Sequence, residues 1–158
     1  MKDYSLTHTH IKSYIENLER LKEVGVLQNK KDFTSQIGEW LVAELYDGVR
    51  SESSTQKDWD IKVGNDFFIQ VKAHAKAIGN NNRWTEIKYE KDAKINELNI
   101  IVFTHDYKLK ELYKIPWSLA LAKIKIYKAK RLIYWNHITE FKINFKSLPK
   151  QELVKLFL

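Results

Sequence analysis

The stretch Phe67-Phe68-Ile69-Gln70-Val71-Lys72 decides how this chain is read. Its aromatic and β-branched residues are those of a strand. Yet it closes on a glutamine and a lysine one residue apart. On a strand, positions i and i+2 share a face, so Gln70 and Lys72 project together. A lysine is rarely buried without a partner, so an acidic neighbour is required close by. The turn signal Gly64-Asn65-Asp66 precedes the stretch, and residues 59–63 read as the strand before it. Antiparallel neighbours joined by so tight a turn bring Asp60, Gln70 and Lys72 within about 5 Å on one face. Further upstream, Ile37-Gly38-Glu39-Trp40-Leu41-Val42-Ala43 has helical periodicity. Ile37, Leu41, Val42 and Leu45 form its buried stripe, which leaves Glu39 at the edge of the face packed on the sheet.

The same rules extend to the rest of the chain. Ile11, Tyr14, Ile15, Leu18 and Leu21 predict a helix over 6–24, and Thr34 caps a second helix that runs to about 46 and is ended by Gly48. Strands are expected at 48–52, 59–63, 67–73, 99–104, 112–115 and 131–135. Of these, Asn-Ile-Ile-Val-Phe-Thr at 99–104 is apolar enough for a central strand buried on both faces. Pro116 opens a helix to about 123 from its first position, and a closing helix is expected at 148–157. The result is an α/β chain, a mixed β-sheet flanked by α-helices. One domain over 1–158 is expected: a helical extension at 1–30, a core at 33–115 and a helix-strand-helix unit at 116–158.

Composition narrows the function classes. Apolar residues make up 44% of 158, enough for a sizeable core. The absence of cysteine excludes a disulfide scaffold and a thiolate metal site, and it fits a reducing cytoplasm. No apolar run reaches membrane-spanning length, and the first residues lack the apolar core of a signal peptide. A net charge of +7 favours a polyanionic partner, nucleic acid first.

Two carboxylates (Glu39, Asp60), one amide oxygen (Gln70) and one ammonium (Lys72) make a chemically coherent set. Hard oxygen ligands suit Mg²⁺ or its substitute Mn²⁺. Such an ion polarises a phosphate and acidifies a bound water. Lys72 orients or activates that water, or stabilises charge on the phosphorus.

Glu39, Asp60 and, nine residues on, Gln70-Val71-Lys72 resemble the PD-(D/E)XK nuclease superfamily, in the variant with glutamine seen in its Mrr-like branch. Gly38-Glu39-Trp40-Leu41-Val42-Ala43-Glu44-Leu45 is similar to that branch's first helix. The resemblance covers 33–115. It implies a restriction-endonuclease-like core, ordered helix, three strands, helix, strand, and a Mg²⁺-dependent endonuclease acting on DNA, of restriction or genome-defence type. By motif match Asp60 is the central metal ligand, Gln70 the second, Lys72 the catalytic lysine and Glu39 the helix-borne acid. Trp59 stands where the family name has proline. Gln70 in place of an acid lowers the charge of the site and weakens metal binding unless Glu39 compensates. A module of a larger complex without catalysis, or a Holliday-junction resolvase-like enzyme, fits the same resemblance.

Each of these residues also has a plain reading. Glu39 reads as a solvated helix residue, Asp60 as a surface partner of Lys57 or Lys62, and Gln70 and Lys72 as the polar face of an edge strand. Those readings win one residue at a time; they do not win for four residues in this order. Asp58 is a rival to Asp60, or a supporting residue beside it. His74 and Lys76 continue the Lys72 face, with His74 expected at the surface. Asn81, Arg83 and Trp84 lie in a polar loop at 79–84, suited to DNA contact or to folding back on the core. Residues 123–131, with Lys123, Lys125, Lys128, Lys130 and Arg131, are either a phosphate-tracking patch or a solvated helix end. Trp117, Tyr134 and Trp135 are expected in the core. Cutting both strands of a duplex takes two sites, so a homodimer is expected, with Leu153, Leu156, Phe157 and Leu158 as an apolar contact or as closure of the core.

Overall fold

A computed structural model describes residues 4–29, 32–52, 58–76 and 83–158. Helix α1 spans Tyr4–Glu23. None of its residues is buried, and Ile11 and Tyr14 are 55% and 63% exposed. Helix α2 (Phe33–Tyr46) is the one that packs, through Ile37, Leu41, Val42 and Leu45. Asp32, not Thr34, caps it. Asp32 sits in left-handed backbone (φ 43°) and its carboxylate accepts the Ser35 amide at 3.2 Å. Thr34 instead meets the Tyr107 hydroxyl at 2.7 Å. At the other end the left-handed residue is Asp47 (φ 51°) rather than Gly48. Gly48 serves packing, since a Cβ there would lie 2.5 Å from Ile61 Cγ2.

The strands are β1 (Val49–Arg50), β2 (Ile61–Val63), β3 (Phe67–Ala75), β4 (Trp84–Glu86), β5 (Glu97–Phe103) and β6 (Leu109–Pro116). They are followed by α3 (Trp117–Lys123), β7 (Lys125–Tyr127), β8 (Lys130–Tyr134), three 3₁₀ turns and α4 (Gln151–Lys155). One mixed sheet has the order β1-β2-β3-β5-β6, antiparallel except between β3 and β5. A second, antiparallel sheet has the order β4-β8-β7. The protein is therefore α/β with a mixed sheet. As expected from its apolar run, β5 is flanked on both sides.

Other expectations need correction as well. Pro116 ends β6 and caps α3 instead of opening it from inside. Trp84 opens β4, which pairs with β8, and Arg83 directly precedes it. The strand expected at 131–135 is β8, and it pairs with an unexpected β7, so residues 125–131 form a hairpin where a solvated helix end is one of the two readings. Between β3 and β5, where the resemblance implies a helix, residues 83–96 contain β4 and turns.

Strand periodicity sorts the main sheet into two cores. Ile69, Val71, Ile101 and Phe103 face α2 and the C-terminal Leu153 and Phe157. Leu98, Ile100 and Val102 face Ile133, Trp135 and Ile138 on the far side. Gln70, Lys72 and His74 are in register with Leu98, Ile100 and Val102. They therefore lie on the face that the second sheet covers. Leu153 and Phe157 close the first core, while Leu156 is 73% exposed. Among the described residues, no helix is long and apolar enough to cross a membrane.

Candidate active site

The β2–β3 ladder stops at Asp60, and the way it stops builds the site. The Asp60 amide donates to the Ile69 carbonyl at 2.9 Å. The next amide on β3, that of Val71, is taken by the Asp60 carboxylate (Oδ2, 2.7 Å) instead of a backbone carbonyl. Asp60 thus ends one strand and stays beside the next. Burial pushes its carboxyl up, while the Val71 amide and the Lys72 charge pull it down; burial prevails.

Glu39 arrives from the helix. A Cβ on Gly38 would lie 2.5 Å from the Ala73 Cβ, so only glycine lets α2 approach β3 this closely. Glu39 is half-buried and its carboxyl is pushed up to about 7. Burial is the largest cause and the charge of Asp60 the second; Arg50 and Lys72 act the other way. The charges of Asp60 and Lys72 are therefore felt at Glu39. Arg50 belongs to the same neighbourhood. Its guanidinium donates to the Val26 and Gly25 carbonyls at 3.0 and 2.5 Å. No periodicity singles it out in the sequence.

Gln70 is 3% exposed. Its amide nitrogen donates to the Lys88 carbonyl at 3.1 Å, which fixes the side chain. Its carbonyl oxygen is buried with no hydrogen-bond partner, and so is Asp58 Oδ1. Buried acceptors without donors are uncommon, and an unplaced cation or water is one standard explanation. Asp60 lies beside Gln70 along the chain through its bond to the Val71 amide, and the charge of Asp60 is felt at Glu39; hard oxygens of these types suit a small divalent cation. Lys72 is half-buried and makes no ion pair or hydrogen bond within the described residues. Against this, among the described residues no three His, Asp or Glu side chains form a group that could hold a metal. Two carboxylates and an amide are what the chain offers.

The neighbouring residues on β3 are committed to the fold. His74 is not a surface histidine: its Nε2 lies 2.8 Å from the buried Thr85 hydroxyl and its ring 5.3 Å from that of Trp135. Burial first, then Lys76 and Lys72, lowers it to about 4, so it is neutral at pH 7. Lys76 stands over the rings of Trp135 and Trp84, at 4.9 and 5.4 Å. Arg83 holds Glu111 with two bonds of 2.9 Å and covers the Trp135 ring. Arg83 is thus engaged within the protein, and Trp84 is half-buried in β4. Trp135 is buried as expected. Asn81 lies outside the described residues.

The sequence matches no protein-family model, and comparison with curated proteins gives no match.

Proposed function

We propose that this chain is a metal-dependent endonuclease hydrolysing phosphodiester bonds of DNA, built on a restriction-endonuclease-like core. The observation that carries the reading is the buried, unpartnered carbonyl oxygen of Gln70, in a chain that also holds the carboxylates of Glu39 and Asp60 with their ionised forms disfavoured. A divalent cation offsets both penalties at once. Asp60, Gln70 and Glu39 would hold it. When bound, Mg²⁺ or Mn²⁺ supplies Lewis-acid polarisation of a phosphate and a lowered pKa for a bound water.

The chain's own residues do the rest. Asp60 is fixed by the Val71 amide and Gln70 by the Lys88 carbonyl, so neither must be ordered when substrate arrives. Lys72, without an ion-pair partner, offers its ammonium to a phosphate oxygen or to the attacking water. The site lies on a chain of net charge +7, which draws in a polyanion. Helix α2 followed by β1, β2 and β3, with β5 parallel to β3, supports the core reading. The strand β4 in place of a crossover helix is a departure from it.

A second reading is a DNA-binding module of the same fold without catalysis. Gln70 in place of an acid and the absence of a three-acid group favour it. Incubation of supercoiled plasmid with Mg²⁺ or Mn²⁺ separates the two. Nicking or linearisation that is lost in both Asp60→Ala and Lys72→Ala supports the nuclease. DNA binding without cleavage by the wild type, and undiminished in Asp60→Ala, supports the module.

A further inference from the structure

Strands β7 and β8 form a hairpin that the proposed chemistry does not use. Between Glu111 and Glu140 the chain has six lysines or arginines and no acid. Five of the six, Lys123, Lys125, Lys128, Lys130 and Arg131, lie in or next to this hairpin. Ile126 and Tyr127 on β7 are 78% and 55% exposed, on the edge of the second sheet. The pairs are Lys125 with Leu132, Ile126 with Arg131 and Tyr127 with Lys130. The tip, Lys128-Ala129, has two left-handed residues (φ 46° and 64°), the backbone of a tight two-residue turn. Neither is the glycine or asparagine that such a turn favours, so the surrounding ladder holds the tip in shape.

The hairpin is also tied to the site. The Ile87 amide donates to the Arg131 carbonyl at 2.8 Å. The Arg131 guanidinium donates to the Tyr89 carbonyl at 3.1 Å and covers the Tyr89 ring at 4.5 Å. The residue between, Lys88, is the one whose carbonyl holds Gln70. A short, bonded path therefore runs from the hairpin base to the candidate site, on the same face of the main sheet.

We infer that the β7–β8 hairpin is a duplex-DNA contact that enters a groove and holds the phosphodiester backbone beside the candidate site. This rests on the nuclease reading for what the site does, but not for what the hairpin binds. A two-stranded ribbon fits the major groove of B-form DNA, where lysines meet phosphates and, since Ile126 and Tyr127 point to opposite faces of β7, one meets base edges and the other the sugars of the groove wall. The same lysines oppose the other way of covering an exposed edge strand. A second copy paired along β7 would bring Lys125 and Lys128 against like charges, the device by which edges avoid self-association.

The test is fluorescence anisotropy in EDTA, with a duplex and a single strand of the same sequence, across a salt series. The hairpin variant is Lys125→Ala/Lys128→Ala/Lys130→Ala. The control, Lys12→Ala/Lys146→Ala/Lys155→Ala, removes the same charge elsewhere. Expected is a tenfold or greater loss of duplex affinity beyond that of the control, with the salt slope lowered by about 2–3, at roughly 0.9 per phosphate contact. Ile126→Ala and Tyr127→Ala should each weaken duplex more than single-strand binding. Equal duplex affinity and slope in hairpin variant and control overturn the inference. So does a dimer that Ile126→Lys dissociates while duplex affinity is unchanged. A wild type that cleaves DNA while hairpin and control bind alike overturns the hairpin alone; one that binds through the hairpin but never cleaves overturns the nuclease alone.

Discussion

The Asp60 carboxylate accepts the backbone amide of Val71 at 2.7 Å, at the point where β2 and β3 part. One side chain thus completes the sheet's hydrogen bonding and supplies charge to the site. Stability and the proposed chemistry meet at this residue, and the choice of substitution decides which is read. Asp60→Asn keeps an acceptor for Val71 and relieves a carboxylate whose ionised form is disfavoured by burial. Asp60→Ala leaves the amide without an acceptor. Chemical denaturation at pH 8 without metal should find Asp60→Asn more stable than Asp60→Ala by about 1–3 kcal/mol. Equal stability would show that the bond contributes nothing.

Glu39 gives a pH signature. Its carboxyl lies at about 7 in the fold against 4.5 ordinarily, with burial the main cause and Asp60 the next. The native state therefore binds more protons than the unfolded state across that window. Stability from this group is present below about pH 4.5 and is lost as pH rises through 7. In EDTA, Glu39→Gln should melt above the wild type at pH 8, and the gap should close at pH 5. Mg²⁺ should raise the wild-type melting temperature at pH 8 and raise that of Glu39→Gln less. A variant that melts lower at pH 8 would remove Glu39 from the site's electrostatics.

Gly38 is held by Ala73. With a Cβ separation of 2.5 Å, Gly38→Ala should cost about 1–3 kcal/mol, the usual range for overpacking. Ala73→Gly in the same chain should recover part of that loss, read as a non-additive double-mutant cycle in urea. Additive effects would mean that α2 is not seated on β3 at this contact.

Gln70→Glu tests why an amide stands here. A carboxylate at this buried position loses the Nε2 bond to the Lys88 carbonyl and adds a desolvated charge one residue from the Val71 amide that Asp60 holds. Without metal the variant should melt lower than the wild type. Its melting temperature should then climb more steeply with Mg²⁺ or Mn²⁺. A metal response no steeper than that of the wild type would count against Gln70 as a ligand.

The β2-turn-β3 unit was legible because period-two apolarity, the Gly64-Asn65-Asp66 turn and the Gln70–Lys72 spacing all agree. Central β5 was legible from its apolar run. Other parts were hidden for identifiable reasons. Strand β4 is three residues long, and its polar flanks resemble a loop. The β7–β8 turn is Lys128-Ala129, with none of the residues that announce a hairpin. His74 and Arg83 are polar types held inside by Thr85, Trp135 and Glu111, partners distant in sequence. The orphaned Gln70 oxygen and the Arg50 contribution exist only once the chain is folded. Periodicity could place Gln70 on a face but not say which of its atoms is satisfied.

The most direct test is cleavage of supercoiled plasmid in Mg²⁺ and Mn²⁺ by the wild type beside Asp60→Asn and Lys72→Ala, each first shown to be folded by its melting curve. Asp60→Asn keeps the Val71 bond, so lost activity cannot be charged to a broken strand. A nuclease acting through Asp60 and Lys72 should nick the plasmid in metal as the wild type and lose at least a hundredfold in each variant, about 2.7 kcal/mol in the barrier. Wild-type cleavage that persists in either folded variant would contradict this reading, as would a wild type that leaves supercoiled DNA intact in both metals.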